Sequence, residues 1–207
     1  MKEPIIKRTW KHNLKEDLEN EKITNAIIEK SEELNNLTLN ELTIEESIFK
    51  NEIIENLKIE ELTIRNVIFE ECDLTNFDFS KSYLDRVKFS KCKLIGSDFN
   101  LAILKNVIFE NCNLTYSNFA TAKINNSLFL ESNLTENSFI ETKFSKTDFI
   151  KNNLEKCDFL ATSLKDVDLS SNNIEKIRFD LNSIKGAILN REQCVILANI
   201  FDIKIKN

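Results

Sequence analysis

From Leu34 to Leu189 every fifth residue is Leu, Ile or Phe, an unbroken run of 32 positions that takes in thirteen of the fifteen Phe. At 42% hydrophobic content, chance would give such a run on the order of 10⁻¹² of the time. A period of five fits neither the 3.6 of a helix nor the 2 of a strand, so either element would smear these residues around its surface. A chain that turns a corner every five residues puts all of them inside. Two before each centre, the middle of the chain carries mostly small residues: Cys72, Ser82, Cys92, Ser97, Ala102, Cys112, Ser117, Ala122, Ser127 and Ser132. Two positions in five therefore face inward, one large and one small, and the other three face water.

A second period of 20 lies on the first. One column reads Phe79, Phe99, Phe119, Phe139, Phe159 and Phe179; another runs from Phe49 through Phe149 and ends in Leu169 and Leu189. The columns between them are aliphatic apart from Phe144. Four pentapeptides thus make one four-sided coil, which predicts about eight coils and a rod ~38 Å tall at strand spacing. Each buried side chain contributes roughly 1.5–3 kcal/mol, enough to hold a thin rod together. With two Gly and one Pro, the chain lacks the turn residues of a conventional sandwich or barrel.

Stretches such as Cys72-Asp73-Leu74-Thr75-Asn76 and Cys112-Asn113-Leu114-Thr115-Tyr116 resemble the pentapeptide-repeat family, whose unit is a small residue, Asp or Asn, Leu or Phe, then two variable residues. The resemblance covers residues 34–189 and implies an all-β solenoid, a right-handed quadrilateral β-helix. Around it we expect a capping segment at 1–30, the β-helix at 31–189, and a C-terminal helix and tail at 190–207. Open ends of a strand stack need such caps. Glu32 and Glu52 fall on the small inward position, which predicts irregular geometry in the first coils. Asn190 and Gln193 are spaced for a capping box, opening a helix of about 11 residues. On it Cys194, Leu197, Ala198 and Phe201 share one face. Ile203 and Ile205 alternate with Lys204 and Lys206, as in a short strand.

The tail, from Lys185-Gly186-Ala187-Ile188-Leu189 through Gln193 and the apolar helix, is similar to the C-terminus of Qnr-type quinolone-resistance proteins. Residues 72–80 and 86–94 are similar to chromosomal Qnr-like members of Gram-positive bacteria. That resemblance implies a non-enzymatic DNA mimic that binds DNA gyrase or topoisomerase IV, as a homodimer joined through Cys194, Leu197, Ala198 and Phe201. Many Qnr proteins carry loops that interrupt the coils, and the register here never breaks. A pentapeptide-repeat scaffold for an unrelated protein partner is the alternative.

Nothing in the residues points to catalysis, a cofactor or a metal. The one histidine, His12, has no nucleophile placed beside it by any motif, and two Gly could hardly build a phosphate loop. Cys72, Cys92 and Cys112 stack at intervals of 20, but parallel strands keep their Cβ atoms ~4.8 Å apart, wider than the ~3.8 Å a disulfide prefers. They read as small buried hydrophobes. Residues 1–14 hold no apolar core of signal-peptide length and no stretch approaches a membrane span, so the expectation is a cytoplasmic protein with reduced thiols. A net charge of −6 argues against direct nucleic-acid binding.

Charge is uneven among the four sides. The side centred on Phe79 to Phe179 carries Glu41, Glu60, Glu61, Asp78, Asp98, Glu141, Asp158 and Asp180 against three bases. The side centred on Leu74 to Ile174 is acidic as well, and the one centred on Ile44 to Ile184 has eight bases against four acids. Carboxylate columns on a rigid rod can present phosphate-like charge to a basic groove, which makes the first side the candidate partner-binding face. On the fourth side Ile48, Ile68, Ile108, Leu128, Leu130 and Ile150 fall at outward positions, a candidate apolar contact face.

Overall fold

The computed structural model describes residues 1–6, 9 and 13–204. After a short helix α1 (Leu14–Glu19) come strands β1 (Lys22–Thr24), β2 (Ile27–Glu29), β3 (Thr38–Glu45), β4 (Ile48–Lys50), β5 (Lys58–Glu70), β6 (Tyr83–Ser90), β7 (Ile103–Glu110), β8 (Lys123–Asn125), β9 (Leu128–Leu130), β10 (Lys143–Ser145) and β11 (Asp148–Ile150). Every pairing among them is parallel, and from β3 onward each residue pairs with the one 20 further on. This is the expected four-sided solenoid. Single bridges continue the ladder on the remaining sides, as from Asp78 through Asp98, Asn118, Ser138 and Asp158 to Arg178.

That side counts six layers, and the stack makes about six full turns rather than eight. Two irregularities bound this regular run. The ladder is interrupted between Ile59 and Phe79, and after Phe179 a short helix α2 (Leu181–Ile184) replaces the next side. Conversely, β1 and β2 already pair with β3 and β4, so the stack starts inside the segment expected to be only a cap. Their offset is 21, as in Ile23 opposite Ile44 and Ile28 opposite Phe49. Helix α1 comes before it, with Leu14 and Leu18 buried in the core.

Most corners fall two residues after a centre and take positive φ, from Asn76 (59°) and Lys81 (58°) to Asn111 (53°) and Lys151 (54°); Glu41, Glu61 and Ser171 do not. Almost all corners lack glycine. Asn is common there because its side chain tolerates this region best after Gly. At Gly96 a Cβ would also meet Asn76 Oδ1 in the corner below, so that side chain would have to turn away.

Inside, the two Phe columns form continuous ladders. Phe99 stacks on Phe79 and Phe119 at 4.6 Å between ring centroids, and Phe109 on Phe89 and Phe129 at 5.1 and 4.9 Å. Across the axis the columns meet edge to face, Phe99 with Phe109 at 5.8 Å and 87°. Such pairs add about 0.5–1.5 kcal/mol each beyond their buried area.

The three stacked cysteines are free and buried, and each thiol donates to a carbonyl of an earlier turn: Cys72 to Phe49, Cys92 to Phe69, Cys112 to Phe89. The Cys112 thiol stacked on it, together with burial, pushes the Cys92 thiol up to about 12. Burial does the same to Cys157, also to about 12. Cys194 is exposed. Treated with DTNB at pH 8, the native protein is therefore expected to release one equivalent rapidly, and the other four of its five thiols only on denaturation; rapid release of two or more would contradict the packed column.

At the C-terminus the capping box is present: Gln193 N–H donates to Asn190 Oδ1 and Asn190 N–H to Gln193 Oε1, both at 2.9 Å. It opens α3 (Arg191–Ile200). The Gln193 amide also donates to Leu169 O and Asn172 O, each at 2.8 Å, so one buried side chain closes two carbonyls of the last complete coil. Ile203 and Lys204 form no strand, and Ile205, Lys206 and His12 lie outside the described residues. No helix among the described residues is long and apolar enough to cross a membrane.

Candidate functional site

Many surface acids are neutralised by the coil next to them. Lys91 reaches Glu71, Lys93 Asp73, Lys151 Glu131 and Lys156 Glu136, all at 2.8–3.2 Å between neighbouring turns. Exposed pairs of this kind contribute about 0–1 kcal/mol each, so their main effect is on the surface potential. Carboxylates left over are what a partner would meet.

The predicted acidic face divides accordingly. Asp158 is buried, accepts the Leu160 N–H and pairs with Arg178 at 3.0 Å. Asp98 accepts from the Asn100 N–H and the Asn118 amide. Asp180 is the N-cap of α2 and also accepts the Ala161 N–H; these bonds, Ala161's first, lower its pKa to about 2. These three carboxylates serve the coil's own turns. Glu141 is exposed but stands apart, several layers away. Glu41, Glu60, Glu61 and Asp78 are exposed and, among the described residues, enter no ion pair, although Asp78 also accepts its own turn's Ser80 N–H at 2.8 Å. Glu41 and Glu61 are register partners on adjacent strands, which brings the free charge together at the N-terminal end of this side.

The same end holds a cleft of about 850 Å³, lined by Glu55, Glu60, Asp73 and Asp78 against a single base, Lys58, with Ile53, Leu57, Ile59 and Phe77 as its apolar part. Its cause is in the sequence. Leu57 and Phe77 occupy the small inward position on successive coils, where the mid-rod has Cys, Ser and Ala. Both are buried, and the Phe77 ring lies 4.3 Å from Phe79. Leu42 and Leu62, equally large at the same inward position on successive coils, stay paired in register, so the ring of Phe77 is what distinguishes the place where the coils part. The cleft was not anticipated from the sequence; Phe77, the one ring at a small inward position between residues 34 and 189, was the signal for it.

Within it, burial works against the Asp73 carboxylate, but hydrogen bonds from the Thr75 hydroxyl (2.6 Å) and Lys93 (3.1 Å) outweigh burial and hold its pKa below the ordinary value. Nearby Glu52 behaves oppositely. It is fully buried, accepts the Ser31 N–H at 3.0 Å, and burial raises its pKa. It is the one of the two expected inward acids that points in; Glu32 is exposed.

Of the predicted dimer face, Cys194, Leu197 and Ala198 are on α3 and Phe201 is its C-cap, with Cys194 and Phe201 exposed and Leu197 and Ala198 half-buried. Phe201 packs against Phe179 at 5.8 Å. Ile188, Val195, Ile200 and Ile203 add exposed apolar surface at this end of the rod. On the fourth side Ile108 is buried, Ile48, Ile68, Leu128 and Leu130 are half-buried, and Ile150 is exposed. Lys88 stands between Ile68 and Ile108 in the ladder and interrupts that face.

Residues 82–138 match the family described as Pentapeptide repeat region. No curated protein matches the chain. Among solved structures, trypsin-treated QnrB1, a plasmid-mediated fluoroquinolone resistance protein, is 16% identical over 90% of this chain and 92% of its own, with a TM-score of 0.48. A pentapeptide repeat protein of the Arabidopsis thaliana thylakoid lumen is 24% identical over 48% of this chain and 66% of its own, with a TM-score of 0.38. HetL, a pentapeptide repeat protein involved in heterocyst differentiation regulation in the cyanobacterium Nostoc, is 12% identical over 85% and 95%, with a TM-score of 0.29.

Proposed function

We propose that this chain, a pentapeptide-repeat solenoid, acts without catalysis as a Qnr-like DNA mimic that binds DNA gyrase or topoisomerase IV and lowers quinolone susceptibility. The observation that carries this reading is the group of unpaired exposed carboxylates, Glu41, Glu60, Glu61 and Asp78, on one side of a rigid coil stack. A protein groove that binds DNA is basic, and fixed carboxylates compete for it at no ordering cost. The exposed apolar end of the rod supports assembly as a homodimer, tail to tail through α3. The unbroken register favours a second reading, a scaffold for a different protein, because the coil-interrupting loops of many Qnr proteins have no counterpart here.

The test is gyrase supercoiling inhibited by ciprofloxacin, titrated with this protein. Supercoiling is expected to recover, and Phe201→Asp, which puts a charge into the apolar end, is expected to abolish recovery and give a monomer by light scattering. Inhibition of gyrase without rescue would keep the DNA mimic and remove the protective role. No effect on gyrase at any concentration would leave the scaffold reading.

A further inference from the structure

We propose that the cleft between residues 54–62 and 74–82 is a slot for one extended peptide strand, and that its occupant is a protein segment alternating apolar residues with Lys or Arg. Nothing in this inference depends on gyrase being the partner.

The argument starts from backbone hydrogen bonds. Elsewhere in the rod they cross between turns in a fixed pattern: Asn76 N–H to Ile95 O (2.8 Å), Phe79 N–H to Asp98 O (2.7 Å), Asp98 N–H to Phe77 O (3.0 Å). The ladder is closed on one side of the cleft, where Ile53 bridges Asp73, and on the other, where Thr63 pairs with Tyr83. Between these points, among the described residues, no backbone hydrogen bond joins 55–61 to 75–81. One lip is left with donors at Asn56 and Ile59, and the other with the N–H of Asp78 and the carbonyls of Thr75, Asp78 and Ser80. Those are the two edges that a strand laid between them would satisfy together, and a peptide strand binds by such main-chain bonds. Unpaired edges of this kind are otherwise a liability.

Side chains set the kind of strand. Alternate residues of a guest point to opposite faces. One set would face Leu57, Ile59 and Phe77, and the other the rim of Glu55, Glu60 and Asp78. Neutral or acidic segments leave that rim uncompensated, while Lys or Arg at every second position complements it. A volume of about 850 Å³ suits a short extended segment and sits in the range of ligand sites.

The test uses the full chain and a fluorescein-labelled heptapeptide alternating Lys and Val. Without peptide, the amides of Asn56, Ile59 and Asp78 should exchange with deuterium far faster than their counterparts Asn76, Phe79 and Asp98; equal protection would overturn the slot. With peptide, anisotropy should rise and those amides become protected. A Glu/Val heptapeptide should fail, and so should a Lys/Pro one, whose prolines leave it no donors toward one of the two lips. Glu60→Lys combined with Asp78→Lys should weaken binding by at least about tenfold, while Glu141→Lys leaves it unchanged. Phe77→Ser should let the coils close, protect the three amides in the free protein and abolish binding. Protection that grows with protein concentration alone would give the slot to a second copy of this chain, and binding of the Glu/Val peptide equal to that of Lys/Val would remove the basic partner; either overturns the proposal.

Discussion

Phe109→Ala is expected to lower the free energy of unfolding by about 3–5 kcal/mol, the cost of a large cavity in a core that cannot collapse onto it. Phe109 is fully buried and touches four other rings, stacked on Phe89 and Phe129 and edge-on to Phe99 and Phe119 at 5.8 and 6.0 Å. The backbone around it is fixed by ladders to the turns above and below, so the neighbours have little room to move in. Stability in a stacked array is close to a sum of nearest-neighbour contacts, and this substitution weakens two interfaces in the middle at once. Phe179→Ala, at a half-buried position with, among the described residues, only Phe201 as ring partner, should cost clearly less. Urea melts of both variants decide the matter: equal losses, or less than about 1 kcal/mol for Phe109→Ala, would mean that the ring ladder does not hold the rod together.

A larger effect is expected from deletions that differ by one residue. Removing 103–122 joins Ala102 to Lys123 and excises one complete coil, leaving every later centre in register. That variant should keep a cooperative melt, with stability reduced by the interface lost. Removing 104–122 instead leaves Leu84 and Ile124 21 residues apart, the offset that the first turn accommodates between Ile23 and Ile44, but here in mid-rod with Phe ladders on both sides of the joint. It should cost clearly more stability than the 20-residue deletion in a urea melt, because one turn must bulge where stacked rings above and below leave it no slack. Similar behaviour of the two deletions would show that the inward pattern does not dictate the coil.

The interior was readable because the same rule is written more than thirty times, so local exceptions cannot hide it. The ends were less readable for a reason visible in the numbers. Ile23 and Ile28 obey the five-residue spacing, but one extra residue before Leu34 puts them out of phase with the rest, and the coil absorbs it as an offset of 21. The two Leu of α1 carry no signal until there is a first coil to pack on. At the candidate site, the exposed acids were legible as types but not as roles. Asp78, Asp98 and Asp158 share one column, yet only neighbours three-dimensionally adjacent, Asn118 and Arg178, decide which charges stay free. The cleft escaped because a Phe at residue 77 still looks like more core; that the ladder opens beside it appears only in the folded coil.

The direction of the ladder bonds has a mechanical meaning. They run parallel to the long axis, so a pull on the two ends of the rod does not shear many bonds together. It loads the bonds of the outermost turn first and detaches that turn before the next one feels the force. Each 20-residue turn paid out would lengthen the chain by roughly 66–72 Å. The molecule is therefore stiff when squeezed from the side and weak when peeled from a terminus, and the single amide of Gln193, which ties two carbonyls of the last complete coil, is where resistance to peeling from the C-terminal end begins.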